Sequence, residues 1–83
     1  MLQLKIVSPE RIEFEGEVVS VLVRGMLGQF EILVNHAPII SSLDKGRVVY
    51  ALPDGEKKTL DIHGGFVEVQ KNVVSLCIEL NKA

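Results

Sequence analysis

The chain has 83 residues, 47% of them apolar, which is enough for one domain over residues 1–83 with its own core and too little for a second. Nine basic against eleven acidic residues give a formal net charge of -2, and no basic block follows a phosphate backbone, so nucleic acid is excluded as the expected partner. A single cysteine, Cys77, excludes an intramolecular disulfide framework and fits a reducing, intracellular compartment. The opening "MLQLKIV" lacks signal-peptide layout and no run nears the roughly eighteen apolar residues of a spanning helix, so a soluble protein is expected.

Period 2 governs the chain from its start. Leu2, Leu4 and Ile6 share one face of a first strand, with Gln3 and Lys5 on the other. After the Ser8-Pro9 break, Ile12 and Phe14 alternate with Arg11, Glu13 and Glu15, and beyond Gly16 the β-branched run "VVSVLVR" predicts a third strand. Phe30, Ile32 and Val34 share a face of a strand predicted over Gln29 to Val34, which delivers the turn "NHAP". Ile39 to Leu43 follow as a shorter apolar piece closed by "DKG". "RVVYAL" and "KKTLDIH" flank the turn "PDGE", and "FVEVQ" and "VVSLCIEL" flank Lys71-Asn72; both pairs read as hairpins. No segment keeps a 3.6-residue repeat. Eight or nine short strands at this spacing predict an all-β sandwich or barrel.

"VVSVLV", "VVYAL" and "VVSLCI" carry apolar residues at odd and even positions alike, more than one buried strand face requires. Scattered exposed valines and a contiguous patch for a protein partner both account for this surplus.

Candidate chemistry is sparse. His36 has neither a nucleophile nor an orienting carboxylate beside it, and its place in a turn suits a bond to a backbone group or to a partner's surface. His36, His63 and Cys77 lack the close-spaced pairs typical of zinc ligands, so no metal is expected. Cys77 reads as a packing residue without thiolate character. Gly64-Gly65 leads into a strand and not a helix, which favours a bulge or bend over a phosphate cradle. Glu10, Glu13, Glu15 and Glu17 read as a solvated face. The expectation is an interaction module without catalytic residues or cofactors, its rivals an unrelated β-sandwich adaptor and a small enzyme or metal protein built on His36, His63 and Cys77.

Three stretches in collinear order carry a resemblance: "EGEV" (Glu15 to Val18), "RGMLGQFEILVNHAPIISSLDKGRV" (Arg24 to Val48) and "HGGFVEVQKNVVSLC" (His63 to Cys77). Together they resemble the N-terminal β-sandwich of the epsilon-subunit family of F-type, proton-translocating ATP synthases. The resemblance implies a flattened sandwich of two antiparallel sheets with about ten short strands. It implies a non-catalytic central-stalk part on the cytoplasmic face of the membrane, peripheral, binding the gamma subunit and the c-ring so that proton-driven rotation is coupled to ATP synthesis.

Relatives of this kind read Gly-Glu-x-Gly-Ile-x-Pro-Gly-His-Ala-Pro where this chain keeps Gly28, Ile32, His36, Ala37 and Pro38. Gln29 stands in place of a Glu, Glu31 of a Gly, Val34 of a Pro and Asn35 of a Gly. The resemblance thus implies Gln29, Glu31, Asn35, His36, Ala37 and Pro38 as contacts to the gamma subunit or the c-ring, with Glu31 a substitute for the missing carboxylate. Asn35 tolerates the left-handed conformation a glycine would supply, whereas Glu31 requires a regular strand. Bacterial relatives commonly continue into a helical hairpin that restrains ATP hydrolysis and in some members binds ATP. This chain is expected to lack it, and with it both properties.

Overall fold

The computed structural model describes residues 1–80, which form eight strands. They are β1 (Leu2–Val7), β2 (Ile12–Val18), β3 (Ser20–Gly25), β4 (Gly28–Ile32), β5 (Ile39–Leu43), β6 (Gly46–Ala51), β7 (Lys57–Gln70) and β8 (Val73–Leu80). The order β2-β1-β8-β7-β5-β3-β4, with β6 between β3 and β7, folds back on itself. Strand β7 makes this possible: residues 57–62 pair with β6, whereas residues 65–69 pair with β5 and residues 62–70 with β8. One layer is therefore β2-β1-β8-β7-β5 and the other β7-β6-β3-β4, giving the expected flattened sandwich of 34 × 26 × 18 Å. Pairing is antiparallel except between β1 and β8, which run parallel.

Alternation places Leu2, Leu4 and Ile6 of β1, Val74, Leu76 and Ile78 of β8, and Val67 and Val69 of β7 in one core with Val21 and Val23 of β3. Burying each such side chain contributes about 1.5–3 kcal/mol. Among the described residues no polar or charged residue is buried as a whole, but the Glu13 side chain, expected on a solvated face, is only 9% exposed because Arg11 and Ser8 cover its carboxylate.

Three departures from a simple period of 2 reset which residues face inward. In β2 an extra residue, Glu13, sits between Ile12, opposite Val7, and Phe14, opposite Ile6. Ile12 and Phe14 therefore do not share a face: Phe14 packs on the core with its ring 4.6 Å from that of Tyr50, and Ile12 faces solvent. At Val19 the chain leaves β2 and enters β3, so Val18 and Val21 are both buried while Val19 is exposed. The mixed phase of "VVSVLV" comes from this strand junction and from Leu22, which is half-buried on the outer face of β3 between buried Val21 and Val23. In β7 the extra residue is His63, between Ile62 opposite Leu80 and Gly64 opposite Glu79, so the buried set moves from Ile62 to Val67.

"KKTLDIH" and "FVEVQ" are thus a single strand, and the described residues form eight strands, as the spacing predicted and roughly consistent with the about ten that the resemblance implied. Gly65 adopts φ +147, and a Cβ there would meet the Cys77 carbonyl oxygen and come within 2.8 Å of Ile78 Cα. Only glycine lets the layers cross at this point.

Candidate partner-docking surfaces

Strand β4 ends at Ile32, two residues before the predicted end at Val34. Leu33 to His36 form a turn closed by the His36 N–H donating to the Leu33 carbonyl at 3.1 Å, with Asn35 at φ 67 in its third position. That is the pattern of a type II turn, and Asn is there because few residues other than glycine accept a positive φ. Leu33 and Val34 consequently lie exposed instead of continuing the buried face. Glu31 sits in regular strand, with no positive φ.

The six candidate residues do not converge. Gln29, opposite Arg24, and Glu31, opposite Leu22, are exposed on the outer side of β4. His36 lies on the other side, its ring centroid 6.5 Å from that of half-buried Phe30, and its Nδ1 is 2.7 Å from the Ala37 carbonyl oxygen. With Nδ1–H donating there, the neutral ring presents Nε2 as an acceptor. Ala37 and Pro38 are exposed beside it, and Asn35 reaches across to Asn72 of the β7–β8 turn. His63 is exposed at its bulge and Cys77 is half-buried on the outer face of β8. Among the described residues no group of three or more His, Cys, Asp or Glu is placed to hold a metal.

A second surface comes from the alternate positions of the larger layer. Registers align Ile12, Val7, Cys77 and Phe66 in one row across β2, β1, β8 and β7, all on the outer face. Ile12 and Phe66 are each 51% exposed. Val7, Pro9, Phe66 and Cys77 line a shallow hollow of about 520 Å³. Ile40 on β5, 76% exposed, lies diagonal to Phe66 and shares a second hollow with Met26, Leu27 and Phe30. The outward turn of Ile12, caused by the Glu13 bulge, completes the row and was not legible in the period-2 pattern; Phe66 and Cys77 were signalled by their alternate positions.

The bulge is itself anchored. Arg11 Nε donates to Glu13 Oε2 at 3.1 Å and Ser8 Oγ donates to the same oxygen at 3.0 Å. The bond from Arg11, then that from Ser8, holds the Glu13 carboxyl below the usual carboxylate range. Burial raises the Tyr50 phenol above its ordinary value.

Comparison with known proteins bears on the family and the fold. The chain is 43% identical over 82 residues to the ATP synthase epsilon chain of Dichelobacter nodosus, covering 98% of this chain and 57% of that one. It is 40% identical over 77 residues to the ATP synthase epsilon chain of Chlorobium limicola, covering 93% and 88% respectively. This chain thus spans little more than half of the first relative's length and most of the second's. The fold matches a chain of the Euglena gracilis mitochondrial ATP synthase, in an assembly of OSCP, F1 and c-ring, with a TM-score of 0.88 at 23% identity, over 93% of this chain and 49% of that one. Residues 1–80 match the β-sandwich domain model of the ATP synthase delta/epsilon chain, and the chain belongs to that family.

Proposed function

We propose that this chain is a non-catalytic rotor part of an F-type ATP synthase, peripheral on the cytoplasmic face of the membrane. It binds the gamma subunit and the c-ring, coupling proton-driven rotation to ATP synthesis. The observation that carries the reading is the outward apolar row Ile12–Val7–Cys77–Phe66, which crosses four adjacent strands and continues diagonally to Ile40. A row of this length suits burial against another protein more than contact with water. Family membership, and the c-ring present in the Euglena gracilis assembly that holds the matching fold, support the choice of partner.

In this reading the apolar row takes the gamma subunit. The edge of β4 and its following loop, with Gln29, Glu31, Asn35, His36, Ala37 and Pro38, face the polar loops of the c-ring. The 1–83 chain acts as one domain, needs no cofactor and makes or breaks no bonds. Co-expression with the cognate gamma subunit followed by size-exclusion chromatography tests it: co-elution at micromolar concentration is expected, and separate elution overturns the reading.

A further inference from the structure

The loop carrying "NHAP" is held from a distance. Asn35 N–H donates to Asn72 Oδ1 at 2.6 Å, and Asn72 Nδ2 donates back to Asn35 Oδ1 at 3.3 Å, joining residues 37 apart in sequence. Among the described residues these are the hydrogen bonds that tie residues 33–38 to another element; the remaining ones are local, from His36 N–H to Leu33 and from the His36 ring to Ala37.

Asn72 is suited to act as an anchor. Lys71 and Asn72, at φ 51 and 62, form the two-residue connection between Gln70 and Val73, the signature of a type I′ turn whose twist matches its strands. The Asn72 carbonyl also accepts the Gln3 N–H at 2.8 Å, fixing the turn to β1. The clasp therefore refers the loop to a rigid three-strand body. Asn35, third in its own turn, points an N–H away from the bond that closes that turn, and Asn72 supplies the acceptor.

We infer that Asn72 is a positioning residue: its side-chain amide holds the Asn35–Pro38 segment in one orientation before any partner arrives. The inference rests on the proposed docking role for its consequence and on the clasp alone for its content. Ordering the loop in advance removes a cost from association that a mobile loop would carry.

Nitrogen-15 relaxation on the full chain tests it with three variants. Asn72→Gly keeps the left-handed turn and removes the amide. Asn35→Gly keeps the backbone N–H and its bond to Asn72. Asn72→Asp keeps the acceptor and loses the donor. Backbone order parameters over residues 33–38 should fall from about 0.85 to below about 0.6 in Asn72→Gly, with β7 and β8 unchanged. Asn72→Asp should restore most of the order at neutral pH, and Asn35→Gly should change it little.

Equal loop order in Asn72→Gly and the unaltered chain overturns the inference, as does failure of Asn72→Asp to rescue. Affinity for the cognate complex of gamma subunit and c-ring should fall about 2- to 10-fold in Asn72→Gly. Lost order with unchanged affinity keeps the clasp and removes the loop from the docking surface. Absence of binding by the unaltered chain removes the proposed function while the relaxation result still decides the clasp.

Discussion

The two outer faces of the sandwich are built from the same kind of strands and differ in what they carry. Across β2, β1, β8 and β7 the row is Ile12, Val7, Cys77, Phe66; across β4, β3, β6 and β7 the equivalent row is Glu31, Leu22, Val49, Thr59. On the second face the half-buried pair Leu22–Val49 is bounded by polar residues, and next to it Arg47 Nε bonds Asp61 Oδ1 at 3.2 Å with both side chains more than 60% exposed. Such a pair remains solvated, because exposed ion pairs contribute about 0–1 kcal/mol and lose their water if covered. On the first face the adjoining row, Glu15, Lys5, Ser75 and Glu68, is polar as well, so what distinguishes this face is the apolar row itself, which loses little hydration when covered. The fold leaves both faces exposed, and side-chain identity alone marks the apolar row as the surface proposed to take the gamma subunit.

Strand β7 belongs to both faces, so a break at the crossing removes them together. Gly65→Ala should cost more than about 4 kcal/mol or prevent folding, since the added carbon collides with the β8 backbone and the φ is unsuited to any other residue. Gly55→Ala is the control: its φ of +94 lies in the β6–β7 turn with open space around it, and about 1–2 kcal/mol is expected. Urea denaturation ranks the two. Equal losses would show that the close approach of β7 to β8 has no energetic weight.

One negative charge placed on each face separates their roles. Phe66→Glu should weaken binding to the cognate gamma subunit by about 2–4 kcal/mol, roughly 30- to 1,000-fold, because a large half-exposed ring is the type of group that anchors an interface. Its effect on folding stability should stay near 1 kcal/mol. Thr59→Glu, exposed on the opposite face, should change neither by more than about 0.5 kcal/mol. Titration calorimetry with the gamma subunit reads both; an equal loss of affinity from the two variants would mean that the apolar row is not the contact.

The inner faces were legible in the sequence, and the outer ones less so. Leu2, Leu4 and Ile6, or Val74, Leu76 and Ile78, announce their burial because a strand without inserted residues keeps its phase. Ile12 does not, since the Glu13 bulge is stabilised by Arg11 and Ser8 contacts that depend on the folded turn. His63 and Val19 hide two further phase changes for the same reason: alternation records spacing and not the point at which a residue is skipped. In the candidate loop, the shared side of Gln29 and Glu31 followed from their spacing. The partnership of Asn35 with Asn72 did not, because it joins a turn at residue 35 to one at residue 72 through the register of other strands.

A weaker response is expected from the bulge that turns Ile12 toward the apolar face. The Glu13 carboxyl is held below its ordinary value of 4.5 by the Arg11 guanidinium first and the Ser8 hydroxyl second. A depressed folded value means that the unfolded chain binds the proton more readily, so this contribution is complete above the ordinary carboxylate range and is lost as pH falls through the folded value. Urea midpoints measured from pH 6 to pH 2 should therefore decline less steeply below about pH 4.5 in Arg11→Ala, and less steeply still in Glu13→Gln, which has no carboxylate at this site to titrate. At neutral pH the Arg11→Ala variant should lie close to the unaltered chain, because the arginine side chain is 73% exposed and water competes for its bond. Identical acid slopes in all three proteins would show that Glu13 does not anchor the bulge. The outward turn of Ile12 would then depend on the Ser8–Arg11 backbone turn alone.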